Sequence, residues 1–412
     1  MSSSGEEEVD GLIDLGLFDG ILDDVELETR AIRQNREAKK GMETLTKHFG
    51  GFEFWPVLID DCKEVIAKFL DYHTLTKLGM CSKADNVLVS KIPYHVHSIE
   101  IQDNERCHYE YNSEEFENVQ VRVQFHPDFN SGKRIQMIFS QTGEDTEIRW
   151  NHYFPKKSPE KRSMVIEKSN YHEEAVKYAE KWMEKCQFKI NAIVVEMSKY
   201  PYATSKIKYL SRCTDVRIGA DDVETFRWWL QKVPEQLDNV QLIPLNADRD
   251  SFTLPSDLLS LPQVLNAKYM YFFCRAAFTD EQFLNLKATM MSFDAVNITD
   301  EGVHEFLNKW VTGKAVNGFR QVLLWSSRVS DQSRVMRGLD VRQWDEAFEE
   351  EALGFCGDFE RCCGRGETFQ IPSRVEPFDS LTLLFTDDCI GIYATGKKST
   401  WDGKTYTNYG VP

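Results

Sequence analysis

Cys356, Cys362 and Cys363, set among Gly354, Gly357, Gly364 and Gly366, form the densest group of thiols in the chain. Thiols close together are what a structural zinc requires, but such sites take paired C-x-x-C spacing or a histidine a few residues away, and this stretch has neither. Cys107 and His108 are the residue types of a nucleophile and its base. As neighbours on a strand they point to opposite faces, so they cannot share a proton locally. No phosphate-cradling P-loop, dinucleotide fingerprint, G-x-S-x-G elbow or H-E-x-x-H pair is present. The reading is therefore of a protein that is not an enzyme and uses no metal or cofactor. The ten cysteines, at 62, 81, 107, 186, 213, 274, 356, 362, 363 and 389, read as free thiols scattered through apolar segments, most of them small core residues.

With catalysis set aside, composition bounds what remains. The chain has 412 residues, 42% of them hydrophobic and 28% charged, enough to build two or three domains with buried cores. Its net charge of -17 repels phosphate backbones and excludes nucleic acid as a general partner. Ten of the acids fall between Glu6 and Glu28, where no Lys or Arg intervenes. No run of about 18 apolar residues exists, and acids stand where a signal peptide would be basic, so no membrane is expected and the cytoplasm or nucleus is.

Hydrophobic period then supplies the elements. Residues 1–50 read as an acidic, glycine-containing segment and a basic helical linker through Arg30, Arg33, Arg36, Lys39 and Lys40. From His97 to Trp150 the period is 2: Val119, Val121, Val123 and Phe125, then Ile135, Met137 and Phe139, predict an antiparallel hairpin. Ala175, Tyr178, Ala179, Trp182 and Cys186 predict a helix over 171–187.

From residue 190 a unit repeats, with strands predicted near 216–218, 240–243, 269–273, 293–298 and 322–325 and helices between several of them. The spacing of roughly 24 to 30 residues lies in the range of strand-helix solenoids. Within the units Thr299 suits an N-cap, with Val303, Phe306, Leu307 and Trp310 forming a stripe and Gly313 an end. Asp221 suits the cap of an earlier helix carrying Val223, Phe226 and Leu230, which Pro234 stops. The fold class is thus α+β or α/β: a helical bundle over 54–98, an antiparallel region over 99–165, an irregular leucine-rich-repeat-like solenoid over 166–396 and a tail over 397–412.

The helical block has apolar residues at 58, 59, 62, 65, 66, 69 and 70, a stripe wide enough to pack on its own domain and still offer a strip outward. A shorter helix carrying Leu75 and Leu78 follows, and Val87, Leu88 and Val89 begin a third. A bundle of under ~50 residues has little core of its own, so a partner would complete it. Here the chain resembles the F-box: Leu58, Cys62, Ile66, Leu70, Asp71, Leu75, Leu78 and Lys83 occupy matching places. Ile59 replaces the family's proline, Ser82 its cysteine and Asp85 its tryptophan, the last two as in the nematode F-box group. Residues ~190–385 resemble the nematode type 2 F-box-associated domain, closest at Phe306-Leu-Asn-Lys-Trp310 and at Phe359 to Phe369.

The resemblance implies an adaptor that links a protein target to a cullin-RING ubiquitin ligase through a Skp-type subunit. Leu58, Ile59, Cys62, Ile66, Leu70, Leu75, Leu78 and Lys83 are the residues expected to meet that subunit. Arg217, Gln241 and Trp325, placed by period 2 beside Val216, Val240 and Leu324, are expected to face the target from the strand side. The alternative is a protein-binding scaffold of leucine-rich-repeat type with no ligase connection, in which 55–98 only caps the repeats.

Overall fold

A computed structural model describes residues 55–92, 96–103, 118–127, 134–153, 162–186, 190–245, 252–326, 330–343, 367–375, 379–395, 397–401 and 404–408. The acidic N-terminal segment, Cys107, His108 and the Cys356–Cys363 stretch lie outside these residues. The chain divides into two units, Met1–Phe69 and Leu70–Pro412.

In the first unit a single 3-10 turn, Trp55–Val57, leads into α1 (Asp60–Ala67). Asp60 and Asp61 sit in its first turn, where the helix dipole favours them, while Ile59 at the N-cap offers no side-chain hydrogen bond.

The second unit opens with α2 (Tyr72–Cys81) and α3 (Lys83–Lys91). Asp71 caps α2 by accepting from the Thr74 amide at 2.8 Å. Ser82 does the same for α3, accepting from the Asp85 amide at 3.0 Å and donating its hydroxyl to the Asp85 carboxylate at 2.6 Å. The two residues that depart from the usual F-box ending therefore form a cap of their own, of a kind that contributes about 1 kcal/mol.

All but one of the remaining strand pairings belong to one open sheet. Its antiparallel start is β1 (Val96–Asp103), β2 (Asn118–Gln124), β3 (Arg134–Thr142), β4 (Asp145–Tyr153) and β5 (Arg162–Ile166), each paired with the next. The helix α4 (Tyr171–Cys186) follows, then β6 (Ile190–Glu196), which returns to pair in parallel with β1. From there the strands advance in chain order, each parallel to the last: β7 (Asp215–Ala220), β8 (Asn239–Pro244), β10 (Tyr269–Ala276), β11 (Met290–Ala295) and β12 (Gln321–Trp325). A two-residue strand, β9 (Thr253–Leu254), joins β10 at its far end. The connections carry α5 (Val223–Leu230), the single turns α6 (Ser256–Leu259) and α7 (Pro262–Leu265), α8 (Asp280–Asn285) and α9 (Asp300–Val311). Beyond α10 (Gln332–Val335) the sheet closes with antiparallel strands β13 (Arg342–Gln343), β14 (Glu367–Pro372), β15 (Ser380–Phe385) and β16 (Cys389–Thr395), β16 lying against β12. A separate hairpin pairs β17 (Lys397–Trp401) with β18 (Lys404–Asn408).

Parallel strands that step steadily in one direction through crossovers of one hand put every crossover helix on the same face. Burial follows that rule: Ile99, Ile101, Ile193, Val195, Val216, Ile218, Val240, Leu242, Met270, Met291, Phe293, Val322 and Leu324 are all buried, in alternation with more exposed neighbours. Removing each such side chain from water stabilises the fold by about 1.5–3 kcal/mol. At the antiparallel end α4 lays Ala175, Val176, Ala179, Trp182 and Met183 over the Ile99 and Val121 side of the sheet. There Tyr72 of α2 stacks on Phe125 with ring centres 4.6 Å apart and tilts against Trp182 at 5.4 Å, tying that helix to the sheet.

The mixed α/β class and the α4 helix agree with the sequence. Two details do not. The α5 cap is Asp222, not Asp221: its extended backbone lets its carboxylate accept from the Thr225 amide at 2.8 Å. The strand expected over 293–298 is β11 at Met290–Ala295, because Thr299 caps α9 and the residues before it form the turn.

Candidate protein-binding surfaces

Exposed apolar side chains are concentrated in the helical block. Among the described residues, six of the fourteen large hydrophobics left exposed, Val57, Ile59, Val65, Phe69, Met80 and Val87, fall between 57 and 87. In the first unit Ile59 is 67% and Phe69 79% exposed, with Val65 one turn before Phe69 on α1. In the second unit Met80 of α2 and Val87 of α3 are exposed.

The residues expected to meet a Skp-type subunit are distributed unevenly. Ile59, Cys62 and Lys83 are exposed, and Leu58, Ile66, Leu70 and Leu78 are half-buried. Leu75 is only 2% exposed and belongs to the interior of its own unit. Period alone had not marked Phe69 and Met80 as the most exposed apolar residues here.

The second surface is the sheet face that carries no crossover helix. Arg217 of β7 pairs laterally with Gln241 of β8, Gln241 with Tyr271 of β10, and Tyr271 with Ser292 of β11, so these side chains share one row. Trp325 lies one step along, opposite Asp294, which in turn faces Arg275. The three residues expected to face a target therefore lie on one face, although Trp325 is four strands from Arg217.

Several charges of this face are matched within it. Arg122 donates to Glu100 at 2.6 Å. The nearly buried Glu196 accepts from Arg217 at 2.6 Å and from Gln102 at 2.8 Å. Arg149 donates to Glu147 at 2.8 Å, and that hydrogen bond holds the Glu147 carboxyl below its ordinary value. Arg275 and Asp294 approach to 4.0 Å, and Thr214 donates to the Asp215 carboxylate at 2.7 Å.

Towards β12 the face turns aromatic: Tyr269, Tyr271, Phe273 and Trp325, with the Trp325 indole donating to the Ser292 hydroxyl at 3.3 Å. The register between β10 and β11 slips between Tyr271 and Arg275, the signature of a bulge.

Nucleophilic thiol chemistry finds no support in the buried cysteines. Burial pushes the thiols of Cys186, Cys274 and Cys389 up to about 12, and that of Cys213 upward as well, so they stay protonated near neutral pH. Among the described residues, no helix is long and apolar enough to cross a membrane.

An uncharacterized F-box protein of Caenorhabditis elegans is 44% identical to this chain over 375 residues, which cover 91% of the chain and 97% of that protein. The alignment spans both surfaces, and this chain belongs to the F-box protein family. No family model matches the chain. No solved structure matches it. F-box proteins are in general non-catalytic adaptors that pair with a Skp-type subunit.

Proposed function

We propose that this protein recruits a protein substrate to a Skp-cullin-F-box ubiquitin ligase, with residues 55–91 engaging the Skp-type subunit and the open sheet face receiving the target. The observation that carries the reading is the crowding of exposed apolar side chains into residues 57–87 of a chain whose family binds such a subunit. Isolated exposed apolar residues are ordinary, but four between Val57 and Phe69 in the first unit call for a cover. The strand-helix units read as an irregular leucine-rich-repeat-like solenoid whose free strand face is its binding surface. The chain would then act by proximity, raising the local concentration of target lysines beside the conjugating enzyme, with no residue of its own in the chemistry. That work belongs to the cytoplasm or nucleus.

Ile59→Asp combined with Phe69→Asp tests the proposal. An aspartate at position 59 supplies the α1 N-cap with the hydrogen bond it lacks and so favours the helix by about 1 kcal/mol while removing apolar contact. Co-purification of the Skp-type subunit should fall at least ~10-fold, with the thermal midpoint unchanged or raised. Undiminished co-purification by the folded double variant removes the ligase connection.

A further inference from the structure

Phe273 lies within β10, Val296 just beyond the carboxyl end of β11 and Trp325 at that of β12, and the three are 42%, 36% and 44% exposed. Elsewhere along these strands, alternate side chains return to the core. Phe273 is the most exposed residue of β10, and the pairing of the strand changes around it. Through Phe272, β10 is paired to β8; from Arg275 it is paired to β9 instead. Across the same interval four residues of β10 advance against two of β11, from Tyr271 opposite Ser292 to Arg275 opposite Asp294. Phe273 sits within that irregularity and shares the open side of β10 with Tyr271 and Arg275.

The surroundings say what kind of occupant fits. Four acids and four bases of this face, Glu100, Glu147, Glu196 and Asp294 against Arg122, Arg149, Arg217 and Arg275, lie in pairs within it. A strongly charged partner would have to break those pairs to gain its own, whereas an apolar side chain gains from the exposed rings at no such cost. Strands β10 and β12 are two spacings, about 10 Å, apart, close to the separation of side chains three residues apart on an extended segment of polyproline type, where they share a face.

We propose that the target presents an extended segment of near-zero net charge, anchored by two apolar side chains against Phe273, Val296 and Trp325. This rests on the adaptor reading above and adds the chemistry of the recognised segment. It also moves the weight of binding from Arg217 and Gln241 to the β10–β12 end.

The test uses the full chain with its Skp-type subunit, panned against a random peptide library displayed on phage. Selected peptides should carry Leu, Ile, Phe or Trp three positions apart and little net charge. Their affinity should change less than ~2-fold between about 50 and 500 mM NaCl, since screening acts on charges. It should fall at least ~10-fold for Phe273→Ser/Trp325→Ser, yet hold within ~2-fold for Arg217→Ala on the same face. A uniformly acidic or basic consensus weakened by salt overturns the proposal, as does a library yielding no peptide sensitive to the double variant. Skp-type co-purification with the same variants reads the ligase connection separately: its retention alongside peptide indifference refutes only the anchor.

Discussion

Cys186, Cys274 and Cys389 are buried and their thiols are pushed up to about 12, so at pH 8 only roughly one molecule in ten thousand carries the thiolate at each. Cys62 and Cys81 are exposed on α1 and α2. Iodoacetamide on the native protein at pH 8 should therefore label Cys62 and Cys81 within minutes and leave the three buried thiols intact, as site-resolved mass spectrometry would record. Prompt labelling of Cys274 or Cys389 would show that the sheet interior opens locally. At this scale, the sequence correctly marked most of these cysteines as core residues from their apolar neighbours. It could not rank exposure within the helical block, because the stripe from 58 to 70 covers more than one side of α1 and only packing decides which side stays wet.

At the scale of elements, α8 and α9 are fastened by a shared carboxylate. Asp280, the first residue of α8, accepts from both the backbone amide and the hydroxyl of Thr299, the cap of α9, at 2.8 and 2.6 Å. Gly302, in the first turn of α9, makes room for that carboxylate: a Cβ there would overlap the Asp280 side chain. Gly302→Ala should cost about 1–3 kcal/mol despite its better helix propensity, measured by denaturant unfolding, because the clash breaks both bonds to the cap. A stabilised variant would mean that Asp280 swings away freely. The Thr299 cap was legible because it precedes an apolar stripe at helical spacing, and α4 was legible for the same reason. β6 was not singled out, since Ile190–Glu196 follows the α4 stripe without a clear turn signal. The bulge in β10 was equally invisible: Tyr-Met-Tyr-Phe-Phe-Cys is apolar throughout, and only the pairing with the neighbouring strands shows the shift in register.

Across the whole molecule, the sheet runs without interruption from β5 to β13, and antiparallel strands flank the parallel series on both sides. On the β12 side, β16 covers what would otherwise be a free parallel edge, pairing all five residues from Gln321 to Trp325. A chain ending after Ser326 should leave that edge bare and associate through it, giving a rise in light scattering with concentration that the full chain does not show. A truncated chain that stays monodisperse would show that the flanking strands are dispensable. On the other side, β1 joins two kinds of pairing, antiparallel to β2 and parallel to β6. Gln102 bonds Glu196 across 94 positions of sequence, whereas the later strands start 21 to 31 residues apart, from Tyr269 to Met290 and from Met290 to Gln321. On a ribosome adding about 5–20 residues per second, β1 therefore emerges roughly 5–20 s before its parallel partner does. During that interval only the β2 side of β1 can be satisfied, so the N-terminal meander must form first and hold one edge open, and the parallel series then grows from it strand by strand as each arrives.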